Sequence, residues 1–261
     1  MSQVPPNTSK KNIVVCGYPK SGTTWVSRLV AELVGCPFQG DLGGADGGPL
    51  EGGTRDSGYD CYKTHRDLPS VVAELPGSTK FVYVVRDPRD VAISAAHHFR
   101  VNPLTLRPGA NRIVAALNAR LSPAVPYSVR IRRAVRAVLY GDASLHYWLA
   151  HPWRLHYRAF RPSDALLLKY EDLLADPAAM CAKILAHLDL PSPSESIASA
   201  IANQSFGRKK SYFEERGMRA EQTFLRRGGT GYWRSEFDSA QQRLFVEQVG
   251  EDLEALSYSL D

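Results

Sequence analysis

"GYPKSGTTW", Gly17 to Trp25, is the stretch on which the reading of this chain turns. Gly17 and Gly22 keep the glycine spacing of the phosphate-binding loop G-x-x-x-x-G-K-[ST]. Thr23 stands where that loop carries its lysine, and Lys20 sits two residues before the second glycine. Upstream, "NIVVC" (Asn12–Cys16) is a short β-branched run of the kind that forms a buried parallel strand. Downstream, Val26, Leu29, Val30 and Leu33 recur at helical spacing. A strand, a glycine turn and a helix N-terminus make an anion site, because backbone N–H groups converge there and the helix dipole favours negative charge. Lys20 adds a point charge, Thr23 and Thr24 add hydroxyls, and Trp25 offers a flat face for a purine.

The alternation continues along the chain. "FVYVV" (Phe81–Val85) reads as a second buried strand and "ALLLKY" (Ala165–Tyr170) as a third. "DPRDVAISAAHHF" and "DPAAMCAKILAHL" both open as helices, with Asp87 and Asp176 as N-caps and proline in the first turn. The second places Met180, Ile184, Leu185 and Leu188 on one face. Strands alternating with helices predict an α/β fold: a P-loop-like parallel sheet flanked by helices on both faces, in a single domain. Residues 1–11 read as a loose tail and 12–261 as the folded domain, with the glycine-rich 40–58 stretch a surface loop or lid. "YSVRIRRAVRAVLY" (127–140) sets Tyr127, Ile131, Ala134, Val135, Val138 and Leu139 on one face and Arg130, Arg132, Arg133 and Arg136 away from it. The favoured reading is a core-packed helix with a solvated basic face; the other is a surface for anionic lipid.

Composition narrows the classes. With 261 residues, 44% hydrophobic and 23% charged, the chain can bury a sizeable core. A net charge of +5 suits anionic ligands but is too mild to imply nucleic acid. Cys16, Cys36, Cys61 and Cys181 show no paired spacing, so neither a disulfide framework nor a metal site is expected. No run of about 18 apolar residues is present, which points to a cytoplasmic protein without stable membrane insertion.

Further stretches sharpen the chemistry. "YKTH" (Tyr62–His65) follows a short strand and points Lys63 and His65 the same way. "VVRDPRDVAIS" puts Arg86 at a strand end and Ser94 two turns into the next helix. "FLRRGGTGYW" (Phe224–Trp233) gives two arginines before a glycine-rich turn, a second anion-binding candidate. Together these resemble the soluble, cytosolic-type sulfotransferases that use 3′-phosphoadenosine 5′-phosphosulfate (PAPS). Tyr18 to Trp25 match that family's Y-P-K-[SA]-G-[TN]-T-W, and Lys63, Thr64 and His65 its K-T-H. Arg86 and Ser94 match its arginine and serine for the 3′-phosphate; Tyr170 to Leu173 match Y-E-D-[LM]. Ser205 and Phe206 match an S-F pair, and Arg226 to Trp233 match R-K-G-x-x-G-D-W in part, with Arg227 for lysine and Tyr232 for aspartate. No dimerisation signature follows Arg234, so no oligomeric state is inferred.

The resemblance implies roles. Lys20, Ser21, Gly22, Thr23, Thr24 and Trp25 would cradle the phosphosulfate. Arg86, Ser94, Arg226, Arg227 and Gly228 would read the 3′-phosphate, with Tyr170 and Phe206 beside the nucleotide. His65 would be the general base for an acceptor hydroxyl or amine and part of the acceptor site. Lys20 would stabilise the leaving oxygen and Lys63 would assist the transferring group. His151, in "WLAHPW", resembles a histidine near the acceptor pocket. The expected partner is a small-molecule acceptor, without metal or nucleic acid, peripheral membrane contact through the 127–140 helix being the one exception left open. Two other readings stand beside it: a P-loop nucleotide or small-molecule kinase, and a non-catalytic binder of anionic lipid or nucleic acid through the basic helix.

Overall fold

The computed structural model describes residues 10–43, 57–75, 78–99, 122–160, 164–205, 207–208 and 228–261. Most of the glycine-rich stretch, Phe206, Arg226 and Arg227 lie outside the described residues. Among the described residues the short apolar runs form five strands: β1 (Lys11–Gly17), β2 (Phe38–Asp41), β3 (Tyr59–Thr64), β4 (Lys80–Val85) and β5 (Leu166–Lys169). All pairings are parallel, in the order β2-β3-β1-β4-β5. The predicted strands at Asn12–Cys16, Phe81–Val85 and Ala165–Tyr170 are β1, β4 and β5, the last ending one residue early because Tyr170 opens a helix.

The helices are α1 (Thr23–Val34), α2 (Leu68–Val72), α3 (Pro88–His98), α4 (Tyr127–Tyr140), α5 (Trp153–Phe160), α6 (Tyr170–Ala175), α7 (Pro177–His187), α8 (Ser194–Asn203), α9 (Trp233–Glu236) and α10 (Ser239–Ala255). The chain resolves into two compact units, each made of two segments: Met1–Arg86 with His156–Gly229, and Asp87–Leu155 with Thr230–Asp261.

The first unit holds the sheet. On one face Ile13, Val15, Val82, Val84 and Leu168 pack with Val26, Leu29 and Val30 of α1, Ile184 and Leu185 of α7, and Ile197 of α8. The pleat turns Tyr83 to the opposite face, where its ring stacks on Phe160 of α5 at 4.5 Å between centroids. The sheet is therefore covered on both faces, as parallel strands require. Two glycines are set by close approach. A Cβ at Gly17 would lie 2.7 Å from the Val84 carbonyl, and one at Gly22 would lie 2.6 Å from the Tyr170 ring, with φ already at +92°.

In the second unit α3 and α4 pack together through Val91, Ala92, Ala95 and Ala96 against Ile131, Ala134, Val135 and Val138. Arg132 and Arg136 of α4 face solvent, while Arg133 pairs with Asp142 at 3.0 Å and Arg130 donates to the Ala96 carbonyl. The helix is the core-packed element with a basic outer face that its periodicity predicts. Asp238 and Gln241 form a reciprocal capping box at the start of α10.

Asp176 caps α7 through the Ala179 N–H at 3.0 Å, as expected. Asp87 caps α3 through the Arg89 N–H, but a reading of it as a cap alone falls short. Its carboxylate also receives the buried Arg89 guanidinium in a bidentate pair, at 2.9 Å from Nε and 2.8 Å from Nη2. Arg89 further donates to the Ser259 carbonyl at 2.6 Å and lies over the Trp233 ring at 3.7 Å. Local sequence shows the cap; the partners Trp233 and Ser259 are more than a hundred residues away.

Removing one partner of such a pair leaves a buried charge uncompensated, at about 3–5 kcal/mol. Arg89→Leu is expected to lower the thermal midpoint by roughly 6–20 °C at about 2–4 °C per kcal/mol. Circular dichroism melting checks this, and a change below about 2 °C would contradict a structural role for the pair.

Candidate active site

Parallel pairing sends the carboxyl ends of all five strands to the same edge of the sheet. Chain order places β1 centrally, with β3 on one side and β4 on the other, so that edge contains the point where strand order reverses. Open α/β sheets bind ligands in such a crevice. Four candidates of the first unit sit here: Lys20 after β1, His65 after β3, Arg86 after β4 and Tyr170 after β5.

The loop after β1 bends through two left-handed residues, Lys20 at φ +72° and Gly22 at φ +92°. Gly22 is the N-cap of α1 and supplies no side chain, so the first-turn amides are capped by none. Ser21 and Thr23 are buried, and their hydroxyl oxygens have no hydrogen-bond partner among the described residues. Such a group costs about 1–3 kcal/mol when left unmade. An uncapped helix N-terminus with two buried hydroxyls beside a lysine is a donor set matched to a phosphate or sulfate group. Thr24 is half-buried in the same turn.

Arg86 ties this loop to a second one. Its Nη1 donates to the Lys20 carbonyl at 3.2 Å and its Nη2 to the Gly229 carbonyl at 2.9 Å. Its guanidinium lies 4.5 Å from the Tyr170 ring centre, and its buried Nε has no hydrogen-bond partner among the described residues. Gly228, the described member of the R-R-G turn, adopts φ +61°. Trp25 meets Tyr170 edge-on at 5.8 Å and donates its indole N–H to the Gln204 carbonyl at 2.8 Å. Both aromatics thus pack within the protein, as well as lying beside the loop.

His65 donates from Nδ1 to the Gly17 carbonyl at 2.7 Å, because a carbonyl oxygen can only accept. That fixes Nε2 as the basic nitrogen of the neutral ring. Burial pushes the imidazole pKa down to about 3; the Gly17 hydrogen bond opposes this, and the charges of Lys63, His156 and Lys20 add to it. Burial also pulls Lys20 down to about 7, helped by the positive charges of Arg86 and Lys63. Lys63 differs from its neighbours in forming an ion pair with Asp41 of β2 at 3.1 Å. The pairing register sets Lys63 opposite Asp41, which the separate strands do not reveal in sequence.

Ser94 lies half-buried on α3 and His151 is exposed just before α5, both in the second unit. His156, outside every motif read in the sequence, is buried and hydrogen-bonded to Tyr83 and to the His65 carbonyl. No local signal marks it, because one partner lies in β4 and the other just after β3. Asp90 was also missed: its carboxylate accepts from the Gly231 N–H at 2.6 Å and the Trp233 N–H at 3.3 Å in the second unit. The four cysteines are buried and free. No helix is long and apolar enough to cross a membrane among the described residues.

The family profile described as "Sulfotransferase domain" matches residues 56–257. The chain belongs to the sulfotransferase domain family. It is accordingly an enzyme that transfers sulfate. Rat sulfotransferase 1 family member D1 is 24% identical over 271 residues, covering 93% of this chain and 83% of that protein. Bovine sulfotransferase 1A1 is 26% identical over 264 residues, covering 90% and 80%. The crystal structure of mouse sulfotransferase SULT7A1 complexed with PAP superposes with a TM-score of 0.63 at 20% identity, over 94% of this chain and 85% of that one. Retinol dehydratase in complex with androsterone and inactive cofactor PAP gives 0.60 at 20% identity, over 93% and 80%. These likenesses establish the P-loop-like sulfotransferase fold. The loop at 17–25 precedes the profile's matched stretch.

The lysine has a consequence for stability. Its folded pKa of about 7 lies below its ordinary 10.5, so between those values the unfolded chain binds the extra proton. Stability on this account rises with pH across that window, and the penalty is complete below it. Lys20→Met is expected to melt above the parent, by more near pH 6.5 than near pH 9.5. A gain that does not shrink as pH rises would contradict a buried charged lysine.

Proposed function

We propose that this sulfotransferase moves a sulfuryl group from PAPS to a hydroxyl or amine of a small-molecule acceptor, by in-line displacement. The observation that carries the reading is the convergence at one sheet edge of Lys20, the orphaned Ser21 and Thr23 hydroxyls, and His65 with its basic nitrogen fixed at Nε2. The donor supplies the activated sulfuryl group on its 5′-phosphate. The loop from Lys20 to Trp25 holds that end. Arg86, Ser94, Gly228, Arg226 and Arg227 hold the 3′-phosphate, for which the arginine fork is suited to bidentate bonding. Tyr170 and Phe206 line the nucleotide.

His65 Nε2 takes the acceptor's proton as the new S–O or S–N bond forms. Lys20 meets the electron pair that the breaking S–O bond leaves on the bridging phosphate oxygen. With its pKa near 7 it also holds a transferable proton at neutral pH. The negative charge of the donor favours the charged forms of His65 and Lys20 and so raises both values. Lys63, paired with Asp41, adds positive potential for the transferring group. The kinase alternative lacks a lysine at Thr23, and the basic-helix binder loses support from Arg130 and Arg133 being engaged within the second unit.

Two outcomes are expected. A saturating amount of 3′-phosphoadenosine 5′-phosphate, at about 100 times its Kd, should add about 2.7 kcal/mol and raise the melting midpoint by roughly 5–10 °C. ADP and ATP-Mg²⁺ should do little, and a shift with ATP-Mg²⁺ alone would favour the kinase. His65→Ala should lower kcat by roughly 10²–10⁴ while the nucleotide shift persists, as loss of a general base does. Retained turnover in that variant would refute the assignment of His65.

A further inference from the structure

One imidazole outside the family motifs touches two of the strand-end segments that build the site, after β1 and β3, and a tyrosine of β4. His156 is buried on α5, on the face of the sheet opposite α1. Its Nε2 is 3.1 Å from the His65 carbonyl and its Nδ1 is 2.9 Å from the Tyr83 hydroxyl. Its ring meets Tyr18, in the loop after β1, edge-on at 5.7 Å and stacks on Phe160 at 5.6 Å.

The hydrogen positions follow from the partners. A carbonyl accepts only, so Nε2 carries the hydrogen. Burial raises Tyr83 well above the ordinary phenol range, so its hydroxyl stays protonated and donates to Nδ1 of the neutral ring. The result is a directed chain: Tyr83 O–H to His156 Nδ1, His156 Nε2–H to the His65 carbonyl, and His65 Nδ1–H to the Gly17 carbonyl. His65 lies just beyond the end of β3, where sheet pairing no longer fixes its backbone. Its side chain donates to the Gly17 carbonyl, and its main-chain carbonyl accepts from His156.

We infer that His156 is a positioning residue for His65: with Tyr83 behind it, it clamps the His65 main chain so that Nε2 keeps its aim at the acceptor. The inference rests on the reading of His65 as general base. A small misplacement of a catalytic group is enough to cost about a hundredfold in rate. The clamp acts on the turnover step and not on the loop amides and hydroxyls assigned to the donor, so it separates kcat from donor binding.

The test is a mutant cycle on the full chain, with PAPS as donor and an acceptor found by screening phenols, alcohols and amines. His156→Phe keeps ring packing and removes both hydrogen bonds; it should lower kcat about ten- to a hundredfold, with donor KM and the 3′-phosphoadenosine 5′-phosphate melting shift unchanged. His156→Gln, whose amide N–H reaches the Nε2 position, should recover most of the loss. Tyr83→Phe should cause a smaller one. In a His65→Ala background His156→Phe should cost nothing more, because residues that act as a unit are not additive. If His156→Phe does not fold, Tyr83→Phe carries the cycle in its place, and a Tyr83→Phe kcat equal to the parent's then overturns the clamp. His156→Phe within twofold of the parent, while His65→Ala is inactive, overturns the clamp and leaves the base intact. A loss that takes nucleotide binding with it, or that adds in the His65→Ala background, marks simple packing and also overturns it. Turnover retained in His65→Ala overturns the base and with it the clamp.

Discussion

Parallel pairing around β1 is the constraint on which the site of the first unit depends. A parallel strand must leave the sheet at its carboxyl end and return by a crossover, so every strand delivers its following loop to one edge. β1 lies in the middle of the order β2-β3-β1-β4-β5, so its loop stands between those of β3 and β4. The glycines at 17 and 22 are the local cost of that arrangement. One lets β1 approach the Val84 carbonyl, and the other lets the loop turn beneath Tyr170.

Cations gathered at such an edge repel one another, and the fold handles each differently. Lys63 is neutralised by Asp41 through strand register. Arg86 spreads its charge over two carbonyls and the Tyr170 ring. Burial, with the charges of Arg86 and Lys63, lowers the Lys20 pKa to about 7.

The second unit meets its polar burden by pairing. Asp87 receives the Arg89 guanidinium, which lies against Trp233, and Asp90 accepts from the backbone of the segment that ends the glycine-rich turn. These acidic residues fall within "RDPRD", where α3 begins. The same five residues therefore start a helix, neutralise a buried arginine and fasten a distant turn.

The sequence by itself determined the strands β1, β4 and β5, the caps at Asp87 and Asp176, the amphipathic α4, and the set Lys20, His65, Arg86 and Tyr170. Each is encoded within a few residues, by apolar period, by a helix-start signal or by motif spacing. β2 was not legible, because four residues, "FQGD", are too short to show a period. Only the tertiary structure decided that Lys63 pairs with Asp41, that Asp87 holds Arg89 and that His156 reaches the His65 carbonyl. Those contacts join positions between two and 91 residues apart. The nearest of them needs a side-chain rotamer and the others a register or a helix face. None of these leaves a mark in the order of neighbouring residues, because the free energy that selects them comes from burial in the assembled unit.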